Sequence, residues 1–201
     1  MWIDVEQNSD EWFNLRLGKA TSSNFGKIMA KDGKAFGNPA IEYAQKVALE
    51  IVTGLRDERG YKGAYFDDGH EYEPIARELY EQDQFVEVAN GGFYYNGRIG
   101  DSNDGNVGNG CIEIKSVIAN TQWERIKKGG YDTSYKWQIH GHIWQGEKEW
   151  CDFVSYCPEM PENKQLYIFR VYRNDELIDR MKQRIEIDFF NEVDNNIKLL
   201  K

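Results

Sequence analysis

Cys111-Ile-Glu-Ile-Lys115 alternates apolar and polar residues with the period of a β-strand, and Gly100-Asp-Ser-Asn-Asp-Gly105 before it has the composition of a tight turn. On such a strand Ile112 and Ile114 point into a core, while Glu113 and Lys115 stand side by side on the opposite face. The turn brings Asp104 back beside Glu113. Paired carboxylates with a neighbouring ammonium suit metal-assisted phosphodiester hydrolysis. The carboxylates hold Mg²⁺, the metal lowers the pKa of a bound water, and the lysine orients that water or neutralises developing charge. The same alternation also serves any half-exposed sheet as a solvated Glu–Lys pair. A calcium-loop reading of Asp101, Asn103 and Asp104 fails, because counting from Asp101 the sixth residue is Asn106 and the twelfth Ile112, where an EF-hand needs Gly and Glu.

With 201 residues, 40% of them hydrophobic, the chain is read as a single domain, 1–201, large enough to bury a sizeable core. No apolar run approaches the length of a bilayer span, and the acidic start Met1-Trp-Ile-Asp-Val-Glu6 lacks the pattern of an export signal. Cys111, Cys151 and Cys157 form an odd set without Cys-x-x-Cys spacing, which suits a reducing cytoplasm. A formal net charge of −9 argues against a passive nucleic-acid coat. It leaves room for an enzyme with a local basic lining, drawn from Arg16, Lys19, Lys27, Lys31, Lys34, Lys127, Lys128 and Lys136.

Along the chain, Ser9 to Leu17 reads as a short helix stopped by Gly18, and Thr21-Ser22-Ser23 cap a second that reaches about Ala30. Asn38-Pro39 starts a longer helix, with Asn38 at the N-cap, that Gly54 stops. A helix over Glu71–Gln82 tolerates Pro74 only near its first turn. Phe85–Val88 and Gly92–Ile99 read as strands ahead of Cys111–Lys115. Helices follow over Thr121–Lys128 and Tyr135–Gln145, then strands over Trp150–Tyr156 and Leu166–Tyr172, and a helix from Asp175 to the end. The order predicts an α/β fold, a small mixed β-sheet flanked by helices.

Other residues gain meaning only from their neighbours. Gln138 and His142 share a helix face four residues apart, while His140 lies off it, so the two histidines make a poor metal pair. Either histidine reads as a partly buried, hydrogen-bonded side chain. Gln138 matters if its helix packs beside the Glu113 strand, where an amide could hold water or a phosphate oxygen. Glu73 reads as a helix-start carboxylate or a further metal ligand. Arg16, with Ser22 and Ser23 opening a helix, has the chemistry of an anion site or of an ordinary cap with a surface arginine.

Four blocks in this order resemble the phage-type YqaJ and lambda exonuclease family of the PD-(D/E)XK nuclease superfamily. They are Glu11-Trp-Phe-Asn-Leu-Arg-Leu-Gly18 with Thr21-Ser-Ser23; Gly69-His-Glu-Tyr-Glu73; Ser102-Asn-Asp-Gly105 with Glu113-Ile-Lys115; and Gly129-Gly-Tyr131 with Gln138. The resemblance implies a restriction-endonuclease-like core and a Mg²⁺-dependent 5′→3′ exonuclease on linear double-stranded DNA, with Mn²⁺ as a substitute. It implies that Asp104, Glu113 and the carbonyl of Ile114 ligate the metal, with Glu73 nearby. Lys115 would act on the attacking water, Gln138 would complete the catalytic set, and Arg16 with Ser22 and Ser23 would bind a terminal 5′-phosphate. It further implies a trimeric ring, a single-strand annealing protein as partner, and phage or prophage origin with action in the bacterial cytoplasm. Asn103 stands where the family motif has proline, which leaves Asp101 as a rival first carboxylate. The alternatives are an endonuclease of the same superfamily and a catalytically inactive DNA-binding or recombination scaffold.

Overall fold

The computed structural model describes residues 1–56 and 64–201, with side chains throughout except over 64–70. Gly69 and His70 of the second sequence block therefore lie outside the described side chains. Two four-stranded sheets are built. The first has the order β1 (Trp2–Ile3), β3 (Phe93–Asn96), β4 (Ile99–Asp101), β2 (Ala20–Thr21), with β2 and β4 parallel. The second runs β5 (Gly105–Val107), β6 (Gly110–Ser116), β7 (Trp150–Tyr156), β8 (Leu166–Tyr172), and only β6 and β7 are parallel. The crossover between them carries α5 (Ala119–Lys128) and α6 (Lys136–Gln145), as a parallel pair requires.

The strand expected at Phe85–Val88 is absent; the chain there is a turn and coil, with Phe85 at φ 54° and 94% exposed. Pairing begins only at Ala89, which bridges Asn106. The single strand expected over Gly92–Ile99 is a hairpin, because Asn96-Gly97 turns the chain, with Gly97 at φ 59°. That turn folds Asp101 back opposite Tyr94 and delivers the chain to β5.

Among the helices, α1 (Asp10–Arg16) is capped by Ser9, whose hydroxyl accepts from the Trp12 N–H at 3.2 Å. The second helix is shorter than expected, a 3₁₀ turn at Ser22–Asn24 running into α2 (Phe25–Ile28), and Thr21 makes no cap bond. In α3 (Asn38–Thr53) the N-cap is Gly37 rather than Asn38, so Asn38 and Pro39 are the first helical residues; Gly54 closes it at φ 68°. α4 (Ala64–Gln84) begins well before Glu71, and Pro74 sits in its interior. Proline removes one ladder bond there, and the packing of Ala76 and Tyr80 on the sheet holds the helix regardless. The C-terminal helix is divided into α7 (Asp175–Gln183), a π-helical stretch over Arg184–Phe189, and α8 (Phe190–Leu200).

Both faces of the second sheet are covered, so β6 is buried from Gly110 to Ile114. Ile112, Ile114, Val154 and Tyr156 pack under α4 with Ala76 and Tyr80. Cys111, Cys151 and Phe153 pack on the other side with Ile139 and Ile143 of α6, in the larger core that α3, α7 and α8 complete. All three cysteines are free and buried. Among the described residues, no helix is long and apolar enough to cross a membrane.

Candidate active site

β6 alternates as its sequence demands, and this places Glu113 and Lys115 on the face covered by α6. Because that face is roofed, Glu113 is 1% exposed and its carboxylate is held entirely by protein donors. Lys115 Nζ pairs with Oε1. Gln138 Nε2 donates to the same oxygen at 2.6 Å, and His142 Nε2 meets Oε2 at 2.8 Å. Gln138 and His142 stand one turn apart on α6, which is how a single helix grips both oxygens.

Asp104 reaches the same place from the sheet edge. Its backbone N–H donates to the Ile112 carbonyl at 3.1 Å, and its Oδ2 accepts from the Ile114 N–H at 2.7 Å. The side chain thus continues the ladder that β5 leaves unfinished. The N–H and C=O of one strand residue point to the same edge, so the Ile114 carbonyl faces the Asp104 side of β6. Arg77 of α4 donates to the Asp104 carbonyl and lies 3.4 Å from Glu73, which brings Glu73 to the rim of the site. Asp101 faces elsewhere: its Oδ1 meets His142 Nδ1 at 2.7 Å. Of the two rival carboxylates, the one at the Ile114 edge is Asp104.

The charges are unevenly balanced. Burial would raise the Glu113 pKa, but Lys115 and His142 outweigh it and hold the group at about 2. Asp104 is pushed up to about 7, first by burial and then by the charge of Glu113, with Glu73 adding to it. Burial works against the Lys115 ammonium, yet Glu113 and Asp104 carry its pKa above the ordinary lysine value. His142, between two carboxylates, is likewise raised well above an ordinary imidazole despite its burial.

The donors that could hold a divalent cation here are Asp104, Glu113 and the Ile114 carbonyl, with Glu73 at the rim. These are hard oxygen donors of the kind Mg²⁺ and Mn²⁺ take, so the set fits either cation. Among the described residues, no group of three or more His, Cys, Asp or Glu side chains converges on one point. A cation that keeps several waters suits such an open set.

Arg16, at the end of α1, donates to Ser23 Oγ at 3.1 Å and to Thr21 Oγ1 at 3.4 Å, and its guanidinium lies 4.2 Å from the Trp12 ring centre. With Lys19, Lys46 and Arg56 it lines a surface cavity that also takes in Asn24, Tyr43 and Glu50, the last paired with Lys46 at 3.7 Å. The Tyr43 hydroxyl accepts from the Thr21 N–H at 2.9 Å and so fixes this turn. Ser22 does not join the group. It is 1% exposed and packs against Gly141 of α6, where an added Cβ would lie 2.5 Å from its hydroxyl.

The fold therefore brings Asp104, Glu113, Ile114, Lys115 and Gln138 together with Glu73 at the rim, and it joins Arg16 and Ser23 in a separate cluster. His142 is the buried, hydrogen-bonded side chain its sequence suggests, but sequence reasoning missed its partners, Asp101 and Glu113. The spacing of His142 from Gln138 was a visible signal, but its partner on another sheet was not.

The YqaJ-like viral recombinase domain model matches residues 11–149. The structure is similar to a crystal structure of an alkaline exonuclease (LHK-Exo) from Laribacter hongkongensis, with 31% identity over 96% of both chains and a TM-score of 0.86. The same enzyme in complex with dAMP gives a TM-score of 0.87 at the same identity and coverage. A phage related exonuclease from Haemophilus somnus 129PT shares the fold, at 16% identity over 91% of this chain and 96% of that one, with a TM-score of 0.71. No curated protein matches the chain. With more than half its length matched by the family model and near-complete coverage by a relative of 31% identity, the chain belongs to the YqaJ-like viral recombinase domain family.

Proposed function

We propose that this chain is a Mg²⁺-dependent exodeoxyribonuclease that digests the 5′ strand of linear duplex DNA in phage-type recombination. The observation that carries the reading is Glu113 held by Lys115 and Gln138, with Asp104 set on the neighbouring Ile114 edge of the same strand. A bound Mg²⁺ or Mn²⁺ supplies Lewis acidity toward the phosphate and lowers the pKa of a bound water. Lys115 stands where it can hold that water and neutralise charge on the phosphorane oxygens. Gln138, fixed by its bond to Glu113, orients the same region. Arg16 and Ser23 give a terminal 5′-phosphate a guanidinium and a hydroxyl.

The relative with 31% identity is named an alkaline exonuclease, and its complex holds dAMP, a deoxynucleoside monophosphate of the kind exonucleolytic hydrolysis releases. A chain of net charge −9 that stays on DNA is served by encircling it, which fits a ring of three chains. The 3′-ended strand left behind suits a single-strand annealing protein in the bacterial cytoplasm. A single-chain mass in solution, from an enzyme that is still processive, removes the ring.

The test is incubation with linear and covalently closed duplex DNA, with and without Mg²⁺. Linear DNA should be degraded to mononucleotides only with metal, and closed circles should persist. Rapid nicking of closed circles would point instead to an endonuclease. Metal and DNA binding without hydrolysis would point to a scaffold, and undiminished hydrolysis in excess chelator removes the metal mechanism.

A further inference from the structure

Glu113 is gripped at both oxygens, and only one grip comes from the residues assigned above. The second is His142, whose Nε2 meets Oε2 at 2.8 Å while its Nδ1 meets Asp101 Oδ1 at 2.7 Å. The three side chains are 0–1% exposed, and each comes from a different element: Asp101 from the end of β4, His142 from α6, Glu113 from β6. The two ring nitrogens of one imidazole thus each meet a carboxylate oxygen, so a single side chain spans Asp101 and Glu113. Among the described residues Asp101 Oδ2 has no hydrogen-bond partner, which leaves His142 as the group through which this carboxylate reaches the site.

A glutamate side chain has several rotatable bonds, and one donor leaves its terminal torsion free. With Gln138 on Oε1 and His142 on Oε2, the carboxylate plane is fixed. The grip also ties the first sheet, through Asp101, to the strand that carries the chemistry.

We propose that His142, seated on Asp101, is the positioning residue of the cation site, holding Glu113 so that Oε1 stays turned toward Lys115 and Gln138. Partners that orient a metal ligand typically change affinity or activity by about ten- to a hundredfold when removed. The inference rests on the metal reading of this site and names what keeps its second carboxylate in place.

The experiment measures Mn²⁺ binding to the DNA-free protein by electron paramagnetic resonance, together with kcat and KM on linear duplex DNA. His142→Ala should weaken Mn²⁺ binding by about tenfold and lower kcat, with KM for DNA little changed. Asp101→Ala should move both in the same direction. Asp101→Asn, which keeps an acceptor at Oδ1, should recover most of the loss. Because Asp101 acts through His142, the double alanine variant should be no worse than His142→Ala alone. A folded His142→Ala with wild-type Mn²⁺ affinity and kcat overturns the proposal, as does full additivity. Should His142→Ala fail to fold, the Asp101 pair decides: equal affinity and kcat for wild type, Asp101→Ala and Asp101→Asn overturns it, and a deficit in Ala restored by Asn supports it. A wild-type protein that binds no Mn²⁺ removes the metal reading itself, whereas normal wild-type behaviour with indifferent variants removes only the role of His142.

Discussion

The second sheet buries acidic side chains around its central strands, and it treats them in opposite ways. Under α4, Asp152 is 1% exposed and fully answered. Arg170 Nε and Nη2 each donate to it at 2.8 Å, and the Tyr80 hydroxyl donates at 2.7 Å. Burial and the adjacent carboxylate push the Tyr80 hydroxyl well up, so it stays a donor, and the guanidinium closes the charge balance. On the α6 side and its edge, Glu113 is satisfied by Lys115, Gln138 and His142, whereas the Asp104 side chain accepts from the Ile114 N–H, and burial with the charges of Glu113 and Glu73 outweighs the opposing pull of Lys115. A buried carboxylate whose charge the protein balances serves the architecture. Asp104, at the open end of a strand ladder, is the carboxylate that the proposed function assigns to a cation.

Substitutions should separate these two kinds of site. Lys115→Ala should have the largest effect on cleavage, a loss of about a thousandfold in single-turnover rate, because in the proposed reaction it removes the group that acts on the attacking water. Mn²⁺ binding should survive it; loss of Mn²⁺ binding with the fold intact would place Lys115 with the metal-holding groups. Arg16→Ala should slow duplex ends carrying a 5′-phosphate by about a hundredfold while leaving 5′-hydroxyl ends nearly unchanged. Equal rates on the two ends in the wild type would return Arg16 to a surface role. Ser23→Ala, losing one hydroxyl of the same cluster, should cost about fivefold on phosphorylated ends only. Asp152→Asn should leave the rate untouched and lower stability by about 1–3 kcal/mol in chemical denaturation, the smaller end favoured because Arg170 is 37% exposed and can be resolvated. A catalytic defect in Asp152→Asn would break the contrast between the two sites.

Much of this was legible in the sequence, for local reasons. Alternation in Cys111–Lys115 is a period-2 signal, and it put Glu113 and Lys115 on one face and Ile112 and Ile114 on the other, as found. The 3.6-residue period put Gln138 and His142 together. What failed was decided by partners far along the chain. Phe85–Val88 looks like a strand but finds none to pair with, since the edge of β5 is met only at Ala89. Asn96-Gly97 is itself a hairpin signal inside the apolar-rich segment Gly92–Ile99. Pro74 marked a helix start by local chemistry, yet packing on the sheet carries α4 through it. Ser22 shares its composition with Ser23, but one faces α6 and the other Arg16, and only the tertiary structure separates them. The Asp101–His142–Glu113 chain joins residues 41 and 29 positions apart, a relation that no local pattern carries.

The most direct test of the cation site is Mn²⁺ binding to the DNA-free protein, measured by titration calorimetry in the wild type, Asp104→Asn and Asp152→Asn. Both substitutions keep size and shape, and both remove one buried carboxylate near the same sheet. Binding should be lost in Asp104→Asn and keep its wild-type affinity in Asp152→Asn. Unchanged Mn²⁺ affinity in a folded Asp104→Asn would contradict the assignment of the Asp104 carboxylate to a cation.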